Sequence, residues 1–219
     1  MKNKRLKVIY RKLYKSFGKQ HWWPARTKLE VIIGAVLTQN TSWSNVERAI
    51  INLQKDNLLS FKNLCRVKKK KLALAIKPAG YFNIKAKRLK NVLEFFKNYY
   101  KGKLVNVDRV STTILRQQLL GINGVGPETA DSIILYAFNR PVFVVDAYTK
   151  RIFNRLDIIS QDASYEEIQE LFMKSLARQT KLFNEYHALI VKLGKDFCQK
   201  KKPRCSECPL LSEQCIIMN

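Results

Sequence analysis

Acidic residues are scarce in this sequence. Seventeen Asp and Glu and two His stand against 41 Lys and Arg, which gives a formal net charge of +24. A folded domain this basic usually binds a polyanion, and DNA or RNA is the first candidate. A lysine-rich proteome would produce the same imbalance, so the charge alone leaves the partner open. Hydrophobic residues make up 46% of the chain, which is enough for a packed core.

The sequence also lacks a run of about 18 apolar residues, the length that a membrane-spanning helix needs. The basic segment 1–15 is not followed by the apolar stretch of a secretory signal peptide. We therefore expect a cytoplasmic protein that is associated with the nucleoid. In that compartment cysteines stay reduced, so clustered cysteines indicate a metal site before they indicate disulfides.

Patterns typical of β-strands are nearly absent. The segment 142–145 is apolar and rich in β-branched residues but has no plausible partner strand, so we expect a buried extended connector. Elsewhere apolar residues recur at helical spacing, which predicts an all-α fold. Helices are expected in the segments 29–37, 43–53, 60–64, 89–96, 130–137, 164–172 (after a Ser164–Glu167 capping box) and 183–193, the last ended by Gly194.

A glycine-rich hairpin is the first strong motif. Gly124 and Gly126 flank Val125, which would anchor the hairpin to the core. Such glycines permit backbone angles closed to other residues and let a phosphate oxygen approach the main-chain N–H groups. Pro127 suits the first position of a helix, whose unpaired N–H groups favour an anion. An ordinary helical corner would contain the same glycines, so the motif gains weight only from its surroundings.

Asp146 supplies those surroundings. It follows Val144 and Val145 and lies twenty residues after Gly126. The simplest interpretation of a lone aspartate before a helix is an N-cap. Together, however, hairpin and aspartate resemble the helix–hairpin–helix DNA glycosylase superfamily, whose signature is Gly-Val-Gly followed at this distance by Val-Asp. The resemblance implies that Asp146 is catalytic and that DNA is bound by Ile122, Gly124, Val125, Gly126 and Thr129.

Four of the five cysteines crowd the C-terminal region, at Cys198, Cys205, Cys208 and Cys215. Four thiolates at such spacing suit a tetrahedral metal or an iron–sulfur cluster, and spacing alone permits either zinc or a 4Fe–4S cluster. The pattern resembles the C-terminal 4Fe–4S cluster of the endonuclease III branch, with one extra residue in the last gap. The resemblance implies a structural 4Fe–4S cluster, with zinc as the alternative.

Glu128 stands two residues after Gly126, where endonuclease III has the lysine that attacks the sugar. A carboxylate cannot form a Schiff base. The resemblance therefore implies a monofunctional enzyme, in which water is the nucleophile and an abasic site is the product. Lys150, close to Asp146, is a less favoured substitute that would make the enzyme a lyase.

The N-terminal third resembles the 3-methyladenine DNA glycosylase III family in its Trp-Trp-Pro and Leu-Thr-Gln-Asn-Thr segments. This resemblance implies that Gln39 fills the gap left in the duplex by a flipped base. Flat aromatic walls suit such a base, and indole faces attract the positive charge of an alkylated purine. The expected substrate is thus double-stranded DNA with an alkylated purine such as 3-methyladenine. The implied base pocket consists of Trp22, Trp23, Pro24, Trp43 and Glu128.

The resemblance implies a monomer of two helical domains. Residues 27–132 would form a six-helix domain that ends in the hairpin, and residues 1–26 with 133–219 would form the cysteine-containing domain. Two alternatives stay open. One is a glycosylase for mismatched thymine or uracil, or for oxidised pyrimidines. The other is a non-catalytic DNA-binding protein that uses only the hairpin and the basic surface.

Overall fold

The computed structural model describes residues 2–213 and residue 215. These residues contain no β-strand, which confirms the all-α prediction. Shorter 3-10 segments span Lys77–Ala79, Leu104–Arg109 and Cys205–Glu207. In chain order the α-helices are α1 (Lys2–Phe17), α2 (Lys28–Leu37), α3 (Trp43–Lys55), α4 (Phe61–Arg66), α5 (Lys69–Ala75), α6 (Phe82–Tyr100), α7 (Thr112–Leu120), α8 (Pro127–Ser132), α9 (Ala147–Arg155), α10 (Tyr165–Ser175) and α11 (Thr180–Asp196).

The chain divides into two compact units, one formed by residues 25–139 and the other by residues 1–24 with 140–219. The sequence-based division put the second boundary at residue 132. The structure puts it after Asn139, because α8 continues as a π-helix over Ile133–Ala137 and the chain turns at Asn139, whose φ is 51°. Within the described part of the chain, no helix has both the length and the apolar content that crossing a membrane requires.

Helix α2 is the buried centre of the unit 25–139. All residues from Val31 to Leu37 are buried, and α2 packs against α3, α6 and α8 with its π-helical continuation. Thr27 begins the helix, since its side chain accepts a hydrogen bond from the Glu30 N–H. A helix that is apolar on all sides has to be surrounded by others, as the unbroken apolar run predicted.

Lys85 of α6 holds the end of α2 in place. Its side chain is buried and donates hydrogen bonds from Nζ to Leu37 O (2.8 Å) and to Ala79 O (2.7 Å). Burial, and secondarily the charge of Arg88, lower the pKa of Lys85 to about 8. The lysine satisfies carbonyl groups that a helix end leaves without partners. It thereby fixes the point from which the segment containing Gln39 departs.

Stacked aromatic rings form the core of the other unit. Phe143 lies parallel to Phe172 with ring centroids 4.0 Å apart, and Phe153, Phe183 and Tyr186 pack edge-on around this pair. Such pairs add about 0.5–1.5 kcal/mol each beyond the burial of their area. Tyr186 also donates a hydrogen bond to Leu6 O of α1 (2.8 Å). Rings from α9, α10 and α11 are therefore fixed to one another.

The extended connector at residues 142–145 is confirmed: it is buried and belongs to no helix or strand. Its main-chain groups find partners in α10 rather than in a second strand. Gln169 Nε2 donates to Phe143 O at 2.6 Å, and the Val145 N–H points to Tyr165 Oη at 3.4 Å. The N–H and C=O groups of a buried extended segment need hydrogen-bond partners, and here side chains provide them.

The predicted helix stop at Gly194 is wrong. Helix α11 continues through Gly194 to Asp196, and the glycine is buried inside it. A Cβ at this position would lie 2.2 Å from Cδ1 of Tyr148 on α9. The residue is therefore a glycine because α9 and α11 approach closely there. It does not terminate the helix.

Gly194→Ala should destabilise the protein by about 1–3 kcal/mol, as overpacking of a filled core typically does. Within a helix, alanine is more stabilising than glycine by about 0.5–1 kcal/mol, but the clash with the rigid Tyr148 ring outweighs this gain. Chemical denaturation measures the change. Gly121→Ala is the control, because its Cβ would come no closer than 3.4 Å to a neighbour. Equal stability of the two variants would contradict the close helix approach.

Candidate active site, hairpin and cysteine cavity

Asp146 is the N-cap of α9, the structural role that a lone aspartate predicts. Its Oδ1 accepts hydrogen bonds from the Thr149 N–H (2.7 Å) and from Thr149 Oγ1 (2.8 Å). The side chain is 11% exposed, so the carboxylate is almost enclosed but still reaches the surface of its unit. The cap occupies one carboxylate oxygen and leaves Oδ2 for a second role.

His187 of α11 faces that second oxygen, with Nε2 3.6 Å from Asp146 Oδ2. Burial alone would raise the pKa of Asp146. The neighbouring His187 and the two donors of Thr149 outweigh burial, so the pKa lies below its usual value. Asp146 is thus a buried carboxylate held in its charged form. Sequence reasoning missed His187, although a histidine within the apolar segment 183–193 was a signal that it could have used.

The hairpin between α7 and α8 depends on its two glycines in different ways. Gly124 has a φ of 93°, and a Cβ there would lie 2.4 Å from Cγ of Arg88. Gly126 is extended with a φ of −96°, so the expectation of a special backbone angle was wrong for this residue. A Cβ on Gly126 would meet nothing within 4 Å. Space beside Gly126 is therefore open, although no neighbour in the described chain requires a glycine.

The apolar residues of the hairpin serve its packing. Ile122 and Val125 are 8% and 7% exposed, and the Val125 N–H donates to Ile122 O at 3.0 Å. Because the Val125 N–H is already used in this bond, we propose the main-chain N–H groups of Gly124 and Gly126 as the donors to a phosphate. The flanking helices are joined by Arg116 of α7, which donates two hydrogen bonds to the buried Asp131 of α8 at 2.8 and 3.1 Å.

Gln39 is tied to this hairpin. Its Nε2 donates to Gly124 O (3.1 Å) and to Thr129 Oγ1 (2.9 Å), while its Oε1 accepts a hydrogen bond from Arg88. The structure thus brings three of the predicted DNA-binding residues into one network in the unit 25–139. Both ends of the Gln39 amide are engaged, so insertion into a duplex would require these bonds to open.

The predicted pocket residues belong to both units. Trp22 and Trp23 are half-buried in the unit containing Asp146, joined by a cis peptide bond with ring centroids 5.8 Å apart, and Pro24 beside them is exposed. Trp43 begins α3, and Glu128 is exposed in the first turn of α8, both in the unit 25–139. Their assembly into one pocket stays a prediction.

All four predicted ligand cysteines line one cavity, which is partly open to solvent. Its walls are otherwise mainly apolar, with Ile152, Leu193 and Phe197 among them. Burial, and then the charges of neighbouring thiols, raise the pKa values of Cys205 and Cys208. Among the described residues, however, no three metal-ligating side chains already form a compact ligand set.

Arginines of α9 bind the loop that carries Cys198. Arg155 Nη1 donates to Cys198 Sγ (3.2 Å) and to Gln199 O (2.8 Å), and Arg151 Nε donates to Cys198 O (2.9 Å). The donor set therefore fits a group bound through sulfur, since four thiols line one mainly apolar cavity and the sulfur of Cys198 receives an N–H donor.

Residues 33–178 match the family model of the HhH-GPD superfamily of base excision DNA repair proteins. The chain belongs to this superfamily. The match contains the hairpin, Asp146, Gln39 and Trp43, whereas Trp22, Trp23 and the four clustered cysteines lie outside it.

Relatives within the superfamily extend the similarity to nearly the whole chain. A protein of Methanocaldococcus jannaschii named as a candidate DNA repair glycosylase is 51% identical over 99% of each chain. The structure of an H. pylori 3-methyladenine DNA glycosylase bound to 1,N6-ethenoadenine is similar with a TM-score of 0.73 and 29% identity, over 87% of this chain and 94% of the other. An endonuclease III–DNA complex shares the fold, with a TM-score of 0.83 and 22% identity over 97% and 94% of the two chains.

Proposed function

We propose that this superfamily member is a monofunctional DNA glycosylase, which hydrolyses the bond between a damaged base and its deoxyribose. The observation that carries the proposal is Asp146, a nearly buried carboxylate whose pKa is lowered so that it stays ionised. Cleavage of this bond develops positive charge on the sugar. A fixed negative charge with little water around it stabilises that charge strongly.

An alkylated purine such as 3-methyladenine is the substrate that we propose. Its positive charge makes the base a good leaving group, so the enzyme needs little acid catalysis. The indole faces of Trp22 and Trp23 would add a cation–π attraction to the stacking of a flipped base. The H. pylori relative is named for 3-methyladenine and is bound to another modified adenine.

Glu128 supports hydrolysis without strand cleavage. It stands in the first turn of α8, where a lysine nucleophile would be needed for a Schiff base with the sugar. Asp146 can instead orient or deprotonate a water molecule that attacks the sugar carbon. The proton of that water passes to the carboxylate, and the departing base takes the electrons of the glycosidic bond.

We propose that the unit 25–139, which contains the hairpin, binds double-stranded DNA through the sugar–phosphate backbone of the DNA. The open space beside Gly126 lets a phosphate oxygen reach the amides of Gly124 and Gly126. The remaining basic surface, with a formal net charge of +24 for the chain, supplies attraction independent of sequence. Gln39 would leave its hydrogen bonds to the hairpin when it enters the gap left by the flipped base.

Duplexes that each contain one modified base test this proposal. The protein should release 3-methyladenine from alkylated DNA and leave abasic sites that break only after alkali treatment. Borohydride should trap no covalent adduct, because no lysine attacks the sugar. Preferential release of thymine, uracil or oxidised pyrimidines would assign the alternative substrate class. An adduct abolished by Lys150→Ala would show a lyase instead.

We propose that Cys198, Cys205, Cys208 and Cys215 hold a 4Fe–4S cluster, with zinc as the alternative. The cluster, when bound, would crosslink the C-terminal loop and contribute to the stability of its unit. Burial, and then the charges of neighbouring thiols, raise the pKa values of Cys205 and Cys208, and a bound cation would favour their thiolate forms. Arg155 would donate a hydrogen bond to the Cys198 sulfur.

Protein purified without oxygen should be brown, with visible absorption that is lost in Cys208→Ser. The substitution should also lower the unfolding temperature, since the loop loses its crosslink. Cys65→Ser is the matched control because Cys65 belongs to the other unit and is not among the residues that line the cavity. A colourless protein that contains zinc would identify the alternative metal, and unchanged iron content in Cys208→Ser would contradict the ligand assignment.

A further inference from the structure

The two oxygens of Asp146 have different neighbours. Oδ1 is bound by the N–H and the hydroxyl of Thr149, the first-turn partners that any N-cap acquires. Oδ2 faces Nε2 of His187, a residue outside the helix that Asp146 caps. Helix capping therefore accounts for Oδ1 but gives no reason for a histidine beside Oδ2.

His187 is held rigidly where it stands. Its side chain is 7% exposed, and the adjacent Tyr186 is anchored in the aromatic core and hydrogen-bonded to Leu6 O. Further along α11, Gly194 lets the helix approach Tyr148 of α9 closely. The packing of α9 against α11 thus fixes the distance between the imidazole and the carboxylate.

Other polar groups near Asp146 are poor substitutes for His187. Tyr148 of α9 has a raised pKa, caused first by its burial and then by Asp146, so it stays neutral. Arg151 lies over the Tyr148 ring at 5.0 Å and donates to the cysteine loop. Tyr165 of α10 accepts from the Val145 N–H. His187, by contrast, has its Nε2 3.6 Å from Oδ2 of Asp146.

We propose that His187 is a positioning residue for Asp146, which holds Oδ2 oriented and ionised while Thr149 holds Oδ1. The inference rests on the proposed glycosylase function, because the aligned carboxylate matters for the sugar cation. The hydrogen bonds from Thr149 fix Oδ1, and the imidazole 3.6 Å from Oδ2 restricts rotation of the carboxylate, so its charge stays at one place. Without the imidazole, burial would act on Oδ2 with less opposition, and Asp146 would take up a proton at higher pH.

The test compares His187→Met, which removes the polar edge, with His187→Gln, whose amide nitrogen can replace Nε2. Tyr186→Phe is the control, since it loses a buried hydrogen bond on the same helix without facing Asp146. Carbon-13 NMR of the aspartate carboxyls follows the pKa of Asp146 directly. Single-turnover base release against pH follows its effect on the reaction.

His187→Met should raise the pKa of Asp146 and shift the acid limb of the rate profile to higher pH by the same amount. The plateau rate should fall about tenfold, as expected for a carboxylate that is no longer held in place, with unchanged DNA affinity. His187→Gln should lie between Met and wild type, and it decides the question if His187→Met does not fold. A wild-type carboxyl titration in both variants would overturn the proposal. Because NMR needs no activity, failure of the glycosylase proposal would be recognised separately by absence of base release in the wild type.

Discussion

Asp146→Asn should lower the rate of base release about a thousandfold while the protein still folds and still binds DNA. The substitution removes the negative charge but keeps the size of the side chain. Fixed charges and general bases of this kind typically contribute factors of about 10²–10⁴. Single-turnover release of 3-methyladenine measures the loss, and binding to undamaged duplex in the same buffer shows whether the DNA interface is intact.

The fold should tolerate this change because asparagine is as good an N-cap as aspartate. Its Oδ1 can still accept from the Thr149 N–H. Some stability is nevertheless lost near neutral pH. The pKa of Asp146 is lowered in the folded protein, so its charge stabilises the fold above the unfolded-state value, and this contribution disappears as the pH falls through the folded-state value. The wild type and the variant should therefore become more alike in stability in acid.

Asp157→Asn is the matched control. Asp157 is an exposed aspartate just after α9, and its φ of 53° is one that asparagine adopts readily. The control changes the net charge of the chain by the same amount without touching Asp146. If both variants released base at the wild-type rate, Asp146 would be an N-cap alone and another residue would carry the reaction. A wild type that bound DNA but released no base would instead fit the alternative of a non-catalytic DNA-binding protein.

Local patterns were sufficient to predict much of the helical framework. Ser164 and Glu167 form the expected capping box, and Ser60 accepts a hydrogen bond from the Asn63 N–H as a cap should. The unbroken apolar run of α2 predicted its burial. Each of these features depends on residues within a few positions of one another, where helix geometry translates spacing directly into contact.

Contacts between distant segments were beyond such reasoning. Gly194 has the appearance of a helix stop in the sequence, but its partner is Tyr148, a residue of another helix. His187 faces Asp146 from a distance of 41 positions along the chain. Gln39 meets the hairpin only because α2 and α8 pack together. The resemblance to a known family implied a catalytic role for Asp146, but it did not predict which residues surround Asp146.

Gly126→Ala should weaken DNA binding about 10- to 100-fold without destabilising the protein. The added methyl group fits the fold, since Gly126 is extended and no atom of the described chain lies within 4 Å of it. It would, however, occupy the space through which a phosphate oxygen approaches the hairpin amides. Loss of one hydrogen bond to a charged group costs about 1.5–3 kcal/mol, which corresponds to the expected change in the dissociation constant.

Gly124→Ala should behave differently, and the contrast makes the pair informative. At Gly124 a methyl group meets the backbone strain of a φ of 93° and the side chain of Arg88. That strain costs about 1–3 kcal/mol, so this variant should lose stability as well as affinity. Fluorescence anisotropy with a labelled duplex and chemical denaturation separate the two effects, with Gly121→Ala as the neutral glycine control. The slope of affinity against salt should stay nearly constant in Gly126→Ala, because the lysines and arginines that neutralise phosphates are unchanged. Wild-type affinity in a stably folded Gly126→Ala would show that no phosphate approaches the hairpin at this residue.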